Sequence, residues 1–229
     1  MSGRPSSDRL DISPPSTRGI LGWIGDTVAR WLESPRIFDV QQRLAVRQNA
    51  GLKRAFASSV AGRRSALDIG CGTAACAASL LSFDEVAYVG IDQDSNYLHY
   101  ARQRHPNAEF IRADASAVAL QGRAFDVVLL FSILHHLSDG EAERVVATVR
   151  QVLAPDGVVL SAEPLFPAVR TYRGLACIRA VVSYGLLKMD RGRYIRDRHG
   201  YLRLWNGFKV VETHAFRSSV HDFVGFVLQ

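Results

Sequence analysis

The sequence predicts an α/β fold in which helices cover both faces of a mostly parallel sheet. From Ser65 onward, short apolar segments alternate with segments of helical periodicity, the pattern of repeated strand–helix–strand units. The predicted strands are SALDIG, VAYVGID, AEFIRAD, FDVVLLF and GVVLSAE, and the predicted helices between them span residues 74–82, 95–104 and 139–153. Ser138 followed by Glu141 predicts a capping box for the last helix. FKVVETHAF and DFVGFVLQ alternate as two final strands.

The segments outside this core are expected to complete one domain. Residues 1–18 are rich in Ser, Pro and Arg, so we expect a disordered leader. Residues 19–32 predict an amphipathic helix that packs on the core or closes over a ligand, with a membrane-surface helix as the alternative, and a second helix is expected from Arg36 towards Ser59. The expected parts of a single domain, residues 19–229, are N-terminal helices at 19–62, a cofactor-binding core at 65–163, an insertion at 164–204 and a closing β-hairpin at 205–229.

Composition limits the classes of protein to consider. No apolar run is long enough to span a membrane and the N-terminus lacks the apolar stretch of a secretory signal, so we expect a soluble, cytoplasmic protein, monomeric or homodimeric. Three cysteines without C-x-x-C spacing indicate neither a disulfide framework nor a metal site. The net charge of +6 is unevenly spread, because residues 170–203 hold nine basic and only two acidic residues.

The stretch ALDIGCGTAACAASL places a glycine turn between a strand and a predicted helix. Gly70 and Gly72 permit close approach of a ligand to the backbone. The stretch also satisfies the dinucleotide fingerprint, so an NAD oxidoreductase is an alternative. However, Asp68, Asp92 and Asp114 place carboxylates at three consecutive strand ends, which suits a ligand with amine and hydroxyl groups better than a pyrophosphate.

Five motifs resemble those of class I S-adenosylmethionine-dependent methyltransferases, most of all the type-11 group that acts on small molecules. They are LDIGCGTA, VGIDQDSNYLHYAR, FIRADASAV, FDVVLLFSILHHLSD and VLAPDGVVLSAEP, and the resemblance covers about residues 65–165. It implies a Rossmann-like three-layer sandwich with strand order 3-2-1-4-5-7-6 and an antiparallel last strand. It further implies S-adenosylmethionine as cofactor, S-adenosylhomocysteine as product, and no metal.

The resemblance also implies which residues hold the cofactor. By position, these are Asp68, Gly70, Cys71 and Gly72 at the methionine end, Asp92 at the ribose, Gln93 and Tyr97 beside the adenosine, Asp114 and Ala115 at the adenine, and Phe131 and Ser132 beneath the sulfonium. One position departs from the family's pattern, since Ala74 stands where the third glycine is usual. A methyl group there is expected to weaken cofactor binding if the chain lies close to the cofactor.

Two histidines follow the fourth strand, where ligands of such sheets bind. A base helps to deprotonate a hydroxyl acceptor, and histidine suits that role near neutral pH. We expect His135 to be the base and His136 to be the second choice, because adjacent residues on a turn point differently. A hydrogen-bonded structural histidine is the alternative.

The insertion is expected to select the acceptor. Tyr172, Arg191, Arg193, Tyr194 and Arg196 combine aromatic and guanidinium groups, which suit an anionic or planar metabolite, with a hydroxyl as the preferred methyl acceptor. A local salt-bridge network is the alternative for the arginines, and at least one of the three is expected to face the same cavity as His135. Two further alternatives stay open, an RNA methyltransferase and a non-catalytic cofactor-binding module.

Overall fold

A seven-stranded sheet forms the centre of the computed structural model, which describes residues 34–48, 50–120, 122–165, 192–217 and 222–229. The strands are β1 (Ser65–Ile69), β2 (Ala87–Asp92), β3 (Glu109–Arg112), β4 (Phe125–Phe131), β5 (Leu153–Leu165), β6 (Val210–Arg217) and β7 (Asp222–Leu228). Their order is β3-β2-β1-β4-β5-β7-β6, and β7 runs antiparallel to both of its neighbours. The other neighbouring strands pair in parallel, so the predicted order and direction are confirmed.

Five α-helices are described around the sheet. They are α1 (Pro35–Gln48), α2 (Ala50–Val60), α3 (Ser95–Arg104), α4 (Asp139–Val152) and α5 (Arg198–Leu204). The predicted helix from Arg36 towards Ser59 is thus described as two helices. The capping box of α4 is confirmed, because Oε2 of Glu141 accepts a hydrogen bond of 2.8 Å from the backbone N–H of Ser138.

The helix predicted over residues 74–82 is wrong. In its place, the described chain between β1 and β2 has a single 3-10 turn at Ala77–Ser79. Backbone conformation excludes the predicted start of this helix, because Ala74 has φ of 61°, in the left-handed region, as Gly70 and Gly72 have at 76° and 54°. A right-handed helix cannot include a residue with such a φ, so it cannot begin at Ala74.

Two apolar clusters hold the layers together, one on each face of the sheet. On one face α4 buries Val145, Val146, Val149 and Val152 against the strands, as its periodicity predicts, and α5 adds Tyr201. On the other face α2 and α3 contribute Phe56, Val60, Leu98 and Ala101. Burial of both faces accounts for the nearly continuous apolar sequence of the central strands.

Some expectations fall on parts of the chain outside the described residues. These are the leader at residues 1–18, the amphipathic helix at 19–32, and the positions of Tyr172 and Arg191 in the insertion. Within the described ranges, every helix is too short or too polar to cross a lipid bilayer.

Candidate active site

A cavity of about 1260 Å³ opens at the carboxyl ends of the parallel strands. It lies where the chain reverses its direction of strand addition, between β1 and β4, the usual place for ligands of open α/β sheets. The eleven positions assigned to a cofactor from the sequence all line it: Asp68, Gly70, Cys71, Gly72, Asp92, Gln93, Tyr97, Asp114, Ala115, Phe131 and Ser132. The fold therefore brings together residues that are spread over more than sixty positions of sequence.

The loop after β1 is a tight backbone cradle. A Cβ atom at Gly72 would lie 2.8 Å from Cε1 of Phe38, and one at Gly70 would overlap the side chain of Ile133. The backbone N–H groups of Gly70 and Cys71 donate to the carbonyl oxygen of Ile91, at 2.8 and 2.9 Å. The loop is thus tied to β2 and leaves room only for glycine at these two positions.

Asp68 is a buried carboxylate at the end of β1. It is 3% exposed, and its Oδ2 accepts a hydrogen bond of 2.7 Å from the Tyr88 hydroxyl. Burial raises the pKa of Asp68 to about 7; the Tyr88 hydrogen bond opposes this shift, and the Asp92 charge adds to it. A cationic group entering the cavity would compensate the buried negative charge.

The other two strand-end carboxylates are held by local hydrogen bonds. Oδ2 of Asp92 accepts from the Gly72 N–H and Oδ1 from the Asp94 N–H, each at 2.8 Å. Burial raises the pKa of Asp92, although these backbone donors act against it. Oδ1 of Asp114 accepts from the backbone N–H and the hydroxyl of Ser116, both at 2.8 Å, and these hydrogen bonds lower the pKa of Asp114.

Thr73 lines the cavity, but its hydroxyl is fully buried and has no hydrogen-bond partner within the described part of the chain. Because this oxygen is inaccessible from the cavity, it says nothing about a ligand. The glycine cradle, which a Cβ atom at Gly70 or Gly72 would fill, and the three carboxylates do fit a ligand that carries ammonium and hydroxyl groups, as S-adenosylmethionine does.

Sequence reasoning did not identify two cavity residues on α1. Phe38 stacks on the Tyr97 ring, with centroids 4.6 Å apart and planes 17° apart, and Gln42 accepts a hydrogen bond of 3.0 Å from the Cys76 thiol. No motif marks either residue. The available signal was the amphipathic pattern of the helix, which predicts a buried face but not what that face covers.

The two histidines occupy different environments. His135 is fully buried, and its Nδ1 lies 2.9 Å from Oε2 of Glu163, a fully buried carboxylate on β5. The ring of His135 does not line the cavity, whereas exposed His136 does. Their ring centroids are 4.0 Å apart. His136 is therefore the histidine whose position suits contact with a ligand.

The arginines of the insertion also divide. Arg193 and Tyr194 line the cavity together with His136. Arg196 instead hydrogen bonds to the turn that follows β4 and pairs with Asp139 at 2.6 Å, the kind of local network expected as the alternative. Of the three arginines expected to face the cavity, Arg193 and Arg196 are described, and only Arg193 lines it. Arg193 lies there beside His136 rather than His135.

No group of three His, Cys, Asp or Glu side chains that could bind a metal ion occurs within the described ranges. Both cysteines in these ranges, Cys71 and Cys76, are free thiols at the cavity wall. Burial raises the pKa of Cys76 to about 12 and that of Cys71 well above its usual value. Both are therefore protonated and weakly nucleophilic near neutral pH.

Comparison with known proteins points to one family. A family model described as a methyltransferase domain matches residues 66–157, which is 92 of the 229 residues. A protein of Mycobacterium tuberculosis named as a probable S-adenosylmethionine-dependent methyltransferase is 28% identical over 101 residues, covering 44% of this chain and 36% of its own. The demethylmenaquinone methyltransferase of Chlorobaculum tepidum is 31% identical over 104 residues, covering 44% of this chain and 41% of its own. The chain therefore spans about two fifths of the length of these curated relatives.

Solved structures share the fold more widely. The N-methyltransferase NodS of Bradyrhizobium japonicum, solved with S-adenosylhomocysteine, has a TM-score of 0.60 at 15% identity and covers 80% of this chain and 85% of its own. An O-methyltransferase family protein of Burkholderia thailandensis has a TM-score of 0.61 at 16% identity, covering 86% and 61%. At these identities the likeness concerns the fold.

Proposed function

We propose that this chain, a class I S-adenosylmethionine-dependent methyltransferase by its family match over residues 66–157, transfers a methyl group to a hydroxyl of a small anionic or aromatic metabolite. The observation that carries the proposal is the composition of the cavity. Carboxylates at the ends of β1, β2 and β3 share it with His136, Arg193 and Tyr194. A cofactor and an acceptor can therefore meet in one space.

At the cofactor end, each residue has a role that its environment supports. The carboxylate of Asp68 receives the ammonium group of the methionine end. Both oxygens of Asp92 keep lone pairs beyond their backbone donors and accept from the ribose hydroxyls. Asp114 and Ala115 lie at the adenine. Phe38 and Tyr97 extend the apolar surface beside the adenosine.

Transfer requires alignment more than acid–base power. S-adenosylmethionine supplies an electrophilic methyl group on a positively charged sulfur, and S-adenosylhomocysteine is left. The chain must hold the acceptor oxygen in line with that methyl group and exclude water. His136 takes the hydroxyl proton as the oxygen–carbon bond forms, which is the role first expected of His135. An acceptor with an acidic hydroxyl needs less help from this base.

Arg193 and Tyr194 are proposed to select the acceptor. A guanidinium binds a carboxylate or phosphate through two parallel hydrogen bonds, and an aromatic ring stacks on a planar acceptor. Residues 164–204 would then form the acceptor-selecting part of the domain, with residues 19–62 contributing from the N-terminal side through Phe38 and Gln42.

Matched acceptors test the proposal. The protein is supplied with S-adenosylmethionine labelled on the methyl group and with hydroxybenzoic acids, each paired with its carboxamide so that the hydroxyl is unchanged. Label transfer to the acids is expected to exceed transfer to the amides by about tenfold or more, because a charge-assisted hydrogen bond contributes roughly 1.5–3 kcal/mol. Arg193→Gln should remove that preference, and Arg203→Gln, an exposed arginine on α5, should leave it.

The same purified protein distinguishes the proposed function from an NAD oxidoreductase, an RNA methyltransferase and a non-catalytic module. Heat of binding is measured with S-adenosylhomocysteine and with NADH. Binding of NADH alone would overturn the methyltransferase assignment. Label transferred to bulk RNA but not to metabolite fractions would overturn the small-molecule acceptor. Binding of S-adenosylhomocysteine without transfer to any fraction would favour a non-catalytic module.

A further inference from the structure

The turn that carries His136 is held from both ends by charged side chains that lie outside the cofactor site. It comprises residues 133–137 and follows β4 after one residue, Ser132. Its backbone donors face Glu163 on β5, and its backbone acceptors face Arg196 in the insertion. Neither of these two side chains lines the cavity.

Glu163 binds the start of the turn. Its Oε1 accepts from the backbone N–H groups of Ile133 and Leu134, at 3.0 and 2.9 Å, and its Oε2 lies 3.3 Å from the N–H donor of His135. Nδ1 of His135 also lies 2.9 Å from Oε2. One carboxylate thus meets three consecutive backbone donors and the imidazole, a concentration of donors that compensates its complete burial.

Arg196 binds the end of the turn. Its Nη1 donates to the carbonyl oxygen of Leu134 at 2.7 Å, and its Nη2 donates to that of Leu137 at 3.0 Å. The same guanidinium pairs with Asp139, the first residue of α4, and donates to the carbonyl oxygen of Tyr194 at 3.0 Å. The side chain of Arg196 is 10% exposed, so it acts as an internal connector rather than as a surface charge.

The insertion packs directly on the turn as a result. The N–H of Tyr194 donates to the carbonyl oxygen of His135 at 2.9 Å. Gly192 lies so close that a Cβ atom there would be 2.6 Å from Cδ2 of His135. His135 is therefore covered on its insertion side, and Arg193 and Tyr194 reach the cavity next to His136.

From this geometry we infer that Glu163 and Arg196 are positioning residues that clamp the turn between them and hold His136, Arg193 and Tyr194 on one wall of the cavity. The inference rests on the proposed function, because that wall is the acceptor side of the proposed reaction. A guanidinium fork is required at position 196, since a lysine ammonium cannot reach two carbonyl groups and a carboxylate in one plane.

Three variants test the clamp. Arg196→Gln removes the charge and the fork, Arg196→Lys keeps only the charge, and Arg203→Gln makes the same charge change at an exposed position nearby. Arg196 is preferred to Glu163 for the test, because removing a buried carboxylate that meets four donors risks the folding of the whole domain.

The first measurement needs no acceptor. Diethyl pyrocarbonate modifies accessible imidazoles, and fragment spectra of the peptides separate His135 from the adjacent exposed His136 and from exposed His99, which serves as the internal reference. In the wild type and in Arg203→Gln, His135 is expected to be protected. In Arg196→Gln its modification relative to His99 should rise about tenfold, because the cover formed by residues 192–194 loosens. An unchanged ratio would overturn the clamp.

The second measurement separates positioning from a merely structural role. Turnover is measured with methyl-labelled S-adenosylmethionine and the acceptor that receives the most label from the wild type. It is expressed per folded molecule, with the folded fraction taken from the unfolding curve of each variant. We expect kcat to fall about 10- to 100-fold in Arg196→Gln, less in Arg196→Lys, and not in Arg203→Gln, while the Kd for S-adenosylhomocysteine changes less than about threefold. A kcat that is unchanged per folded molecule would reduce Arg196 to a structural residue. If the wild type transfers label to no acceptor while the His135 ratio still rises, the proposed function fails and the clamp stands.

Discussion

The phenolic hydroxyl of Tyr88 donates a hydrogen bond of 2.7 Å to Oδ2 of Asp68 inside the sheet, at the end of β1. This hydrogen bond stabilises the ionised form of Asp68 and so opposes the effect of burial on its pKa. Burial is the larger effect, and the pKa of Asp68 is raised to about 7. In the free protein this group therefore titrates near neutral pH. The proposed ammonium contact needs the ionised form, which makes binding sensitive to pH.

The affinity for S-adenosylhomocysteine is expected to rise with pH up to about 7 and then to level off as far as Asp68 is concerned. Below that pH, binding must expel a proton, which costs up to about tenfold in affinity per pH unit. Calorimetry from about pH 5.5 to about pH 8, in two buffers of different ionisation enthalpy, measures both the affinity and the proton release. Tyr88→Phe should move the midpoint upward, because it removes the hydrogen bond that lowers the pKa. A flat profile in the wild type would remove Asp68 from the ammonium site.

Asp68 should also make the free protein less stable at high pH. Burial raises its folded-state pKa above the ordinary 3.8, so the folded state binds more protons than the unfolded state between about pH 4 and pH 7, and stability falls as pH rises through that window. Asp68→Asn cannot ionise. It is expected to increase the free energy of unfolding by roughly 2–4 kcal/mol at about pH 8 and by little at about pH 4, while weakening cofactor binding. Urea denaturation at the two pH values checks this; equal effects at both would contradict it.

Much of this site could be predicted because its residues follow strands that are easy to recognise. Apolar runs define the strands, and Asp68, Asp92 and Asp114 lie at or just beyond the carboxyl ends of three of them, so their meeting at one edge follows from parallel topology. The conformation of the loop did not follow, since apolar periodicity carries no information about a positive φ at Ala74.

The arrangement of the acceptor side could not be predicted from the sequence, because it depends on contacts between distant segments. Glu163 is 28 residues from His135 in sequence, and this contact decides which of two adjacent histidines is buried. No spacing rule connects them. In the same way, nothing in the sequence separates Arg196 from Arg193, but three partners of the Arg196 guanidinium, Leu134, Leu137 and Asp139, lie 57 to 62 residues away. Local patterns identified the candidates, and tertiary packing divided them into cavity and scaffold.

Ala74 offers a test of the loop conformation. It is fully buried with φ of 61°, whereas neighbouring Ala75, also buried, has an ordinary φ. A left-handed φ costs a residue with a side chain about 1–2 kcal/mol, and replacement by glycine removes that cost. In Ala74→Gly, the lost methyl burial and the greater chain entropy of glycine act against this gain, whereas in Ala75→Gly the same two costs have no gain to offset them.

Ala74→Gly is therefore expected to change the free energy of unfolding by less than about 0.5 kcal/mol, and Ala75→Gly to lower it by about 1–1.5 kcal/mol. Denaturation of the two variants under the same conditions gives the comparison. Equal losses would show that Ala74 does not have a left-handed conformation in solution. Cofactor affinity, measured alongside, shows whether the glycine usual in this family also binds more tightly here.

The two histidines provide the sharpest test of the proposed chemistry, because their environments predict opposite phenotypes. His136→Asn should lower kcat by about a hundredfold or more, since general-base catalysis contributes roughly 10²- to 10⁴-fold, with little change in stability or in the Kd for S-adenosylhomocysteine. His135→Ala removes a hydrogen-bond partner of the buried Glu163 carboxylate and should lower the free energy of unfolding by about 2–3 kcal/mol. Its kcat per folded molecule should fall less than that of His136→Asn. Labelled-methyl turnover and urea denaturation of both variants decide the matter. A stable His135→Ala without turnover, beside an active His136→Asn, would return the base to His135.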